Sequence, residues 1–286
     1  MKIPTLSIIT PVFNGELHIE SCLRSVIDQH CPGLEHIIVD GKSRDKTVEI
    51  IKRYAALHPH IRWISEEDRG QSDAMNKGVR LSQGMIIGVL NVDDRYEQNT
   101  LKRVLEIFRD APEPSFIAGA CRVWNENGEI YLNKPEKLNY HDLLLHEKNP
   151  HPYNPSAYFY HKSLHEKIGD YNINEHYVLD VDFILRAVKV AHLRYVDEVW
   201  GNYYFLKGTK TFTDIQSGSS RVRIAELLES HLQQLPWSRR YRIRWLRFWS
   251  ARKGHYHYVG KRLLYYILHP TALVNLLRKN GKVKIR

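Results

Sequence analysis

Cysteine is scarce in this chain. Cys22, Cys31 and Cys121 are scattered, with no C-x-x-C spacing. That excludes a disulfide framework and a cysteine-based zinc site, and it suits a reducing compartment. Long apolar runs are missing as well. No window approaches the roughly 20 apolar residues of a spanning helix, and the longest run in the C-terminal part covers only 263–268. The opening "MKIPTLSIITPVFNG" is too strand-like, and its apolar run too short, for a secretory leader. Phosphate-binding glycine loops are absent too. No G-x-G-x-x-G follows the first apolar run, and Gly41-Lys42-Ser43 has His36 where a P-loop requires glycine. There is no internal repeat and no low-complexity segment.

Acidic residues are nearly missing from one end. Residues 221–286 hold sixteen Lys/Arg against Glu226 and Glu229, a local charge of +14. The whole chain carries +10, so residues 1–220 are left at −4. A mildly acidic body therefore bears a strongly basic tail. With 43% apolar and 11% aromatic residues, the body has enough material for a core.

Up to about residue 120 the pattern alternates. "LSIITPV" (6–12), "HIIVD" (36–40), "IRWIS" (61–65), the run 85–90 and "SFIAGACRV" read as strands. Between them lie helical stripes: Ile19, Cys22, Leu23, Val26 and Ile27; then Val48, Ile51 and Ala55; then 71–83; then Leu101, Val104, Leu105 and Phe108, with Asn99 as its expected cap. This rhythm predicts an α/β fold with right-handed crossovers and a mostly parallel sheet covered by helices. Further on, "VWNENGEIYL" predicts a hairpin at Asn127-Gly128. Residues 135–155 read as loop with one short helix, and "SAYFY" as a strand. A helix starts near Asp180, striped by Phe183, Ile184, Ala187, Val188 and Ala191. "IQSGSS" (215–220) is the expected hinge into the tail.

In open α/β sheets, ligands bind beyond the carboxyl ends of the strands. Here those ends carry Pro11 and Asn14, then Asp40, then Glu66 to Gly70, then Asp93-Asp94. Turns favour Asp, Asn and Gly on their own account, so each residue taken singly also reads as turn chemistry. Asp93-Asp94 is more demanding, because adjacent carboxylates at the end of a buried strand repel and resist desolvation. Exposure at a turn, a ligand hydroxyl or a hard divalent cation would each relieve them.

The blocks "IITPVFN", "IIVDGKSRDKTVEII", "SEEDRGQSDAMNKGV" and "GVLNVDD", in this order and spacing, resemble family 2 glycosyltransferases of the bacterial O-antigen and capsule type. They cover residues 6–94, and a weaker likeness runs to about 190. The resemblance implies a Rossmann-like GT-A fold, a nucleotide-diphospho-sugar donor, a divalent cation (Mg2+ or Mn2+) and inversion at the anomeric carbon. It sets Pro11, Asn14, Asp40 and Asp73 around the nucleotide, Asp93 near the ribose and sugar, and Asp94 on the metal. Asn91-Val92-Asp93-Asp94 meets the DxD signature loosely, leaving open which carboxylate coordinates.

"YVLDVDFILRA" resembles the acceptor half of the family, with Asp180 as the base that takes a proton from the attacking hydroxyl and Asp182 and Arg186 completing the motif. Asp180 equally suits a helix cap, and Asp182 the positive end of that helix. His151-Pro152 resembles a family position near the sugar. Arg69 and Lys77 read as solvated charges or as groups that offset charge on the leaving diphosphate, and Trp63 and Trp124 as core or as subsite walls.

In the tail, "WSRRYRIRWLRFW" (237–249) places Tyr241, Trp245, Phe248 and Trp249 on one helical face and Arg240, Arg244 and Arg247 on the other. This fits a helix lying on an anionic membrane surface. Packing on the body is the alternative, and nucleic acid is not expected as a partner. A second such segment covers 261–279. The expected organisation is a GT-A domain over 1–215, with a nucleotide half 1–120 and an acceptor half 121–215, followed by an amphipathic helical tail over 216–286. The expected acceptor is a glycan, lipid-linked, in cell-surface polysaccharide synthesis on the cytoplasmic face of the plasma membrane. A sugar-phosphate nucleotidyltransferase and a non-enzymatic module that binds anionic surfaces are the rival readings.

Overall fold

The computed structural model describes residues 5–136, 138–145, 151–152 and 154–249. The second tail segment, 261–279, lies outside them. Contacts within the chain cluster into two units, Met1–Ser230 and His231–Arg286.

The first unit opens with β1 (Leu6–Val12), α1 (Ile19–Ile27), β2 (Leu34–Asp40), α2 (Thr47–Leu57), β3 (Ile61–Ser65), α3 (Gln71–Leu81) and β4 (Ile86–Val89). All seven residues of β1 are buried, as befits a parallel strand with helices over both faces. The helices bury the expected stripes: Ile19, Cys22, Leu23 and Val26 on α1, and Ile51 and Tyr54 on α2. Next come β5 (Arg95–Tyr96), α4 (Thr100–Phe108), β6 (Ser115–Asn125), β7 (Gly128–Asn133) and α5 (Tyr140–Leu145). A 3-10 turn, Pro155–Ala157, leads into β8 (Tyr158–His161), α6 (Leu164–Ile168), α7 (Leu179–Ala187), β9 (His192–Tyr204), α8 (Lys210–Ser217) and α9 (Ser219–Gln233).

The sheet runs β3-β2-β1-β4-β8-β6-β9-β5, with β7 added to β6. The first four strands are mutually parallel. β8 is antiparallel to both β4 and β6, and β9 is parallel to β6. The chain lays down β1 to β3 on one side and then returns to the other side of β1 with β4. The crevice between β1 and β4 is thus the topological switch point, where such sheets bind ligands. The same pairing brings the start of β8, the end of β6 and the end of β9 to that edge. Near the middle of the sheet, Gly119 lets Trp200 lie flat on β6, since a Cβ there would sit 2.5 Å from the indole.

Several local expectations change. Asn99 has φ 64° and makes no side-chain cap. The Gln29 amide instead serves the start of α4, its Oε1 accepting from the Leu101 N–H at 3.2 Å. The hairpin forms with Asn125 opposite Gly128. "IQSGSS" is a helix-to-helix junction, not an open hinge: α8 ends at Ser217, Gly218 takes φ +75°, and α9 begins at Ser219. β5, α6 and the long β9 have no counterpart in the sequence reading.

In the second unit, residues 237–249 are helical. Trp237 and Tyr241 are 79% and 69% exposed, and Trp245, Phe248 and Trp249 are exposed as well. No helix among the described residues is long and apolar enough to cross a membrane.

Candidate active site

The loops after β1 and β2 are joined into one shelf. Asn14 donates its backbone N–H to Ser43 Oγ at 2.7 Å, and its Oδ1 accepts from the Arg44 N–H at 2.9 Å. Gly15 N–H reaches Thr47 Oγ1 at 2.8 Å. Asn14 (φ 50°) and Lys42 (φ 65°) both sit in the left-handed region, the kind of strain that collects at ligand sites. Asp40 is fully buried. Its Oδ2 accepts from Ser43 N–H at 3.0 Å and Ser65 Oγ at 2.6 Å, and its Oδ1 accepts from Ser43 Oγ. Asp40 therefore shapes the shelf from beneath. Pro11 is buried within β1, in register with Val39.

At the start of α3, Asp73 is 7% exposed and accepts the Arg69 N–H at 3.1 Å. Burial opposes ionisation there, but the Arg69 amide and the Lys77 and Arg69 charges outweigh it, so the carboxyl lies below its usual range. Lys77 is not a solvated charge. It is largely covered, bonds the Glu67 carbonyl at 2.6 Å and pairs with Glu66 at 2.9 Å. Arg69 is exposed, as expected.

Asp93 and Asp94 differ sharply. Asp94 has no exposed surface. Its Oδ2 accepts from Asn91 Nδ2 at 3.1 Å and Asn154 Nδ2 at 2.6 Å, and its Oδ1 from the Tyr204 N–H at 3.2 Å. Asp93 keeps an accessible edge. Asp94, the expected metal ligand, is thus enclosed and accepts from three N–H groups, whereas Asp93 is the more accessible carboxylate. Burial raises the pKa of both, and for Asp94 the neighbouring Asp93 charge raises it further. Among the described residues neither forms a salt bridge. Arg95 turns its guanidinium to the carbonyls of Val92 and Asp94 and to Ser21 Oγ.

A hard cation fits this donor set, because two carboxylates without a paired cation gain from one, and Mg2+ or Mn2+ sites of this kind need only one or two protein oxygens. No cluster of three or more His, Cys, Asp or Glu that could hold a metal occurs among the described residues. Trp124, on β6, stacks on Tyr204 (ring centroids 6.3 Å apart) and donates to Asn202 Oδ1 at 2.7 Å. It therefore stands beside Asp94 as a wall. Trp63 packs at the edge of the core beside Ile38, Ile51 and Tyr54.

Asp180 lies in the first turn of α7. Burial pushes its carboxyl up to about 6, against stabilising bonds from the Val181 and Asp180 amides. Asp182 and Arg186 pair at 2.8 Å along α7, and Arg186 also bonds the Ile168 carbonyl at 2.7 Å. Two members of the motif thus fix the helix, while Asp180 accepts the Val181 N–H at 2.9 Å. A hydrogen-bonded path joins the strand ends to the segment before α7. Glu175 Oε1 accepts the Tyr177 and Val178 amides, and the Glu175 carbonyl accepts from Ser72 Oγ at 3.0 Å. The adjacent Gln71 donates to Asn91 Oδ1 at 2.9 Å, and Asn91 holds Asp94. Gly70, φ +111°, permits this approach, since a Cβ there would meet His176 at 3.1 Å. His151 is buried, and its carbonyl accepts from Asn133 at 3.4 Å.

The sequence reading missed Asn154, Tyr204 and Gln71. Gln71 and Asn91 lie inside the quoted blocks, whereas Asn154 and Tyr204 carry no local signal.

Comparison with known proteins identifies the family. The profile "Glycosyl transferase family 2" matches residues 7–169. A PGL/p-HBAD biosynthesis glycosyltransferase of Mycobacterium bovis is 31% identical over 211 residues, covering 71% of this chain and 78% of the relative. The chain belongs to glycosyl transferase family 2.

As a family 2 member it is a glycosyltransferase, and the nucleotidyltransferase and non-enzymatic readings fall away. The putative teichuronic acid biosynthesis glycosyltransferase TuaG of Bacillus subtilis is 31% identical over 144 residues, 49% of this chain. The chain spans 57% of TuaG and 19% of the chondroitin synthase of Escherichia coli, to which it is 36% identical over 132 residues. Among solved structures, S. aureus TarS 1-349 in complex with UDP-GlcNAc superposes with a TM-score of 0.65 at 17% identity, covering 84% of this chain and 70% of that one. The mannosyltransferase PcManGT from Pyrobaculum calidifontis, in complex with GDP-Man and Mn2+, gives 0.58 at 16%, covering 98% and 85%. The fold is GT-A.

Proposed function

We propose that this glycosyltransferase moves a sugar from a nucleotide-diphospho-sugar to a hydroxyl of a glycan acceptor, lipid-linked and destined for the cell surface, with inversion. One observation carries the reading: a carboxylate pair at the switch point, without a salt-bridge partner among the described residues, from which a hydrogen-bonded path runs through Asn91, Gln71, Ser72 and Glu175 to the Val178 amide, two residues before a second, raised-pKa carboxylate. The relatives' roles in teichuronic acid and PGL/p-HBAD biosynthesis support the class of product. The structures solved with UDP-GlcNAc and GDP-Man support the class of donor.

In this reading the shelf of Pro11, Asn14 and Asp40 receives the nucleotide, with Asp73 at the start of α3 beside it. Asp93 would hold the cation, and Asp94 locks the Asn91–Asp94 turn that presents Asp93. A divalent cation bound there would neutralise charge developing on the leaving diphosphate. Asp180 orients the acceptor hydroxyl and takes its proton as the oxygen attacks the anomeric carbon, opposite the breaking bond to the diphosphate. A carboxyl with a pKa near 6 is suited to this, being ionised at neutral pH yet basic enough to accept a proton. A thermal-shift panel of UDP-, GDP- and dTDP-sugars, with and without Mn2+, tests the donor. One nucleotide class at hundredfold excess over Kd is expected to stabilise the protein by about 2.7 kcal/mol, and only with metal. No shift with any donor contradicts the reading.

The tail supports a location. Helix 237–249 exposes Trp237, Tyr241 and Trp245 next to Arg239, Arg242 and Arg244. This pattern suits peripheral attachment to the anionic inner face of the plasma membrane. The protein is expected to co-sediment with vesicles containing phosphatidylglycerol, less so at high salt, and to be released by deletion of 237–286. Equal sedimentation of the deletion variant rules the attachment out.

A further inference from the structure

Beyond the strand-end site, the first unit holds a second polar cleft of about 340 Å3, lined by Tyr177, Thr213, Asp214, Ser217, Ser219 and Arg223. Its volume lies within the range of small-molecule sites, about 300–1,000 Å3. We propose that this cleft is a subsite for a neutral sugar residue of the acceptor. The inference rests on the glycosyltransferase reading and adds to it the residues that choose the acceptor.

Three features support it. The first is chemistry. The lining offers hydroxyls, a carboxylate, a guanidinium and an aromatic ring, with no aliphatic side chain. Such a surface suits a ligand covered in hydroxyl groups and does not suit a lipid tail. Asp214 and Arg223 form an ion pair, so their charges cancel and the cleft has no net attraction for a phosphate.

The second is preorganisation. Asp214 is 7% exposed, and the Arg223 guanidinium lies 3.8 Å from the centre of the Tyr177 ring. Ser217 Oγ donates to the Asp214 carbonyl at 2.9 Å and lies 2.8 Å from Ser219 Oγ. These groups are held before any ligand arrives, which lowers the entropic cost of binding.

The third is position. Tyr177 precedes Asp180 by three residues, so their Cα atoms lie within about 11 Å of each other. The intervening backbone is fixed by Glu175, which accepts the Tyr177 and Val178 amides at 2.8 and 3.1 Å. A sugar held against Tyr177 would therefore touch the segment that leads into Asp180, the base of the proposed reaction.

Saturation-transfer NMR on the full chain tests this, with cellobiose, maltose, lactose and N,N′-diacetylchitobiose as probes. At least one disaccharide is expected to give a signal that weakens about tenfold or more in Tyr177→Ala and in Arg223→Gln, as for loss of an aromatic or arginine anchor, and that persists in Tyr177→Phe. Melting of each variant, with and without donor and Mn2+, serves as the control. The donor-induced shift is expected to be unchanged, which separates acceptor binding from damage to the fold. Silence from all four sugars, or equal signals in wild type and Tyr177→Ala, overturns the subsite. Sugar signals that persist without any donor-induced shift count against the donor assignment and leave the subsite standing.

Discussion

Asp180→Asn is expected to lower turnover by about 10²–10⁴-fold, the usual contribution of a general base, while donor-induced thermal stabilisation stays at the wild-type value. The pH dependence follows from burial. Asp180 accepts a proton only when ionised, and its pKa is raised from 3.8 to about 6. Wild-type kcat/KM should therefore climb as pH rises through about 6 and level off above it, and the residual activity of Asp180→Asn should lack that limb. Stability moves in the opposite sense. Between the unfolded and folded pKa values the folded chain binds more protons at this group than the unfolded one does. The group's contribution to stability thus falls as pH rises from about 4 to about 6, and is constant beyond. Asp180→Asn removes this dependence, so its melting temperature relative to wild type should increase across that window. A variant with full activity would show that Asp180 is only structural at the start of α7, and a difference in melting temperature that does not change with pH would show that its pKa is not raised by folding.

The second large effect separates two neighbouring residues. Asp94→Ala strips the acceptor from three N–H groups, on Asn91, Asn154 and Tyr204. Each buried group left unpaired costs about 1–3 kcal/mol. Relief of the repulsion with Asp93 offsets part of this, and a net loss of about 2–4 kcal/mol is expected in urea denaturation. Asp93→Ala removes a carboxylate that no described residue pairs with. Its stability should match or exceed wild type, while the Mn2+ dependence of donor binding disappears. If instead Asp94→Ala melts normally and loses its response to metal, the direct ligand is Asp94 and the buried geometry opens on binding.

Much of the first half of the fold can be read from the sequence because its strands are covered on both faces. "LSIITPV" is a continuous apolar run, and every residue in it is buried. β9 hides for the opposite reason. Its burial switches irregularly along 13 residues, and Arg194, Asp197 and Glu198 interrupt any alternation. β5, at two residues, is too short to carry a pattern. At the site, the sequence shows where carboxylates cluster but not how each is used. Asp40 and Asp94 are both consumed by hydrogen bonds inside the protein, and that depends on partners such as Ser65, Asn154 and Tyr204, 25, 60 and 110 residues away. No local spacing encodes such pairings. The Asp182–Arg186 pair, by contrast, lies four residues apart on α7, and its periodicity was visible.

The long reach of Asp94 bears on how the protein assembles. β1 to β4 join through short crossovers and can condense early, because nearby segments lose little entropy on meeting. The Tyr204 amide is reached only after β8, α7 and β9 have added to the sheet. Synthesis must therefore pass residue 204 before the acidic turn is complete. A nascent chain that ends before residue 204 lacks one of the three N–H groups that hold Asp94.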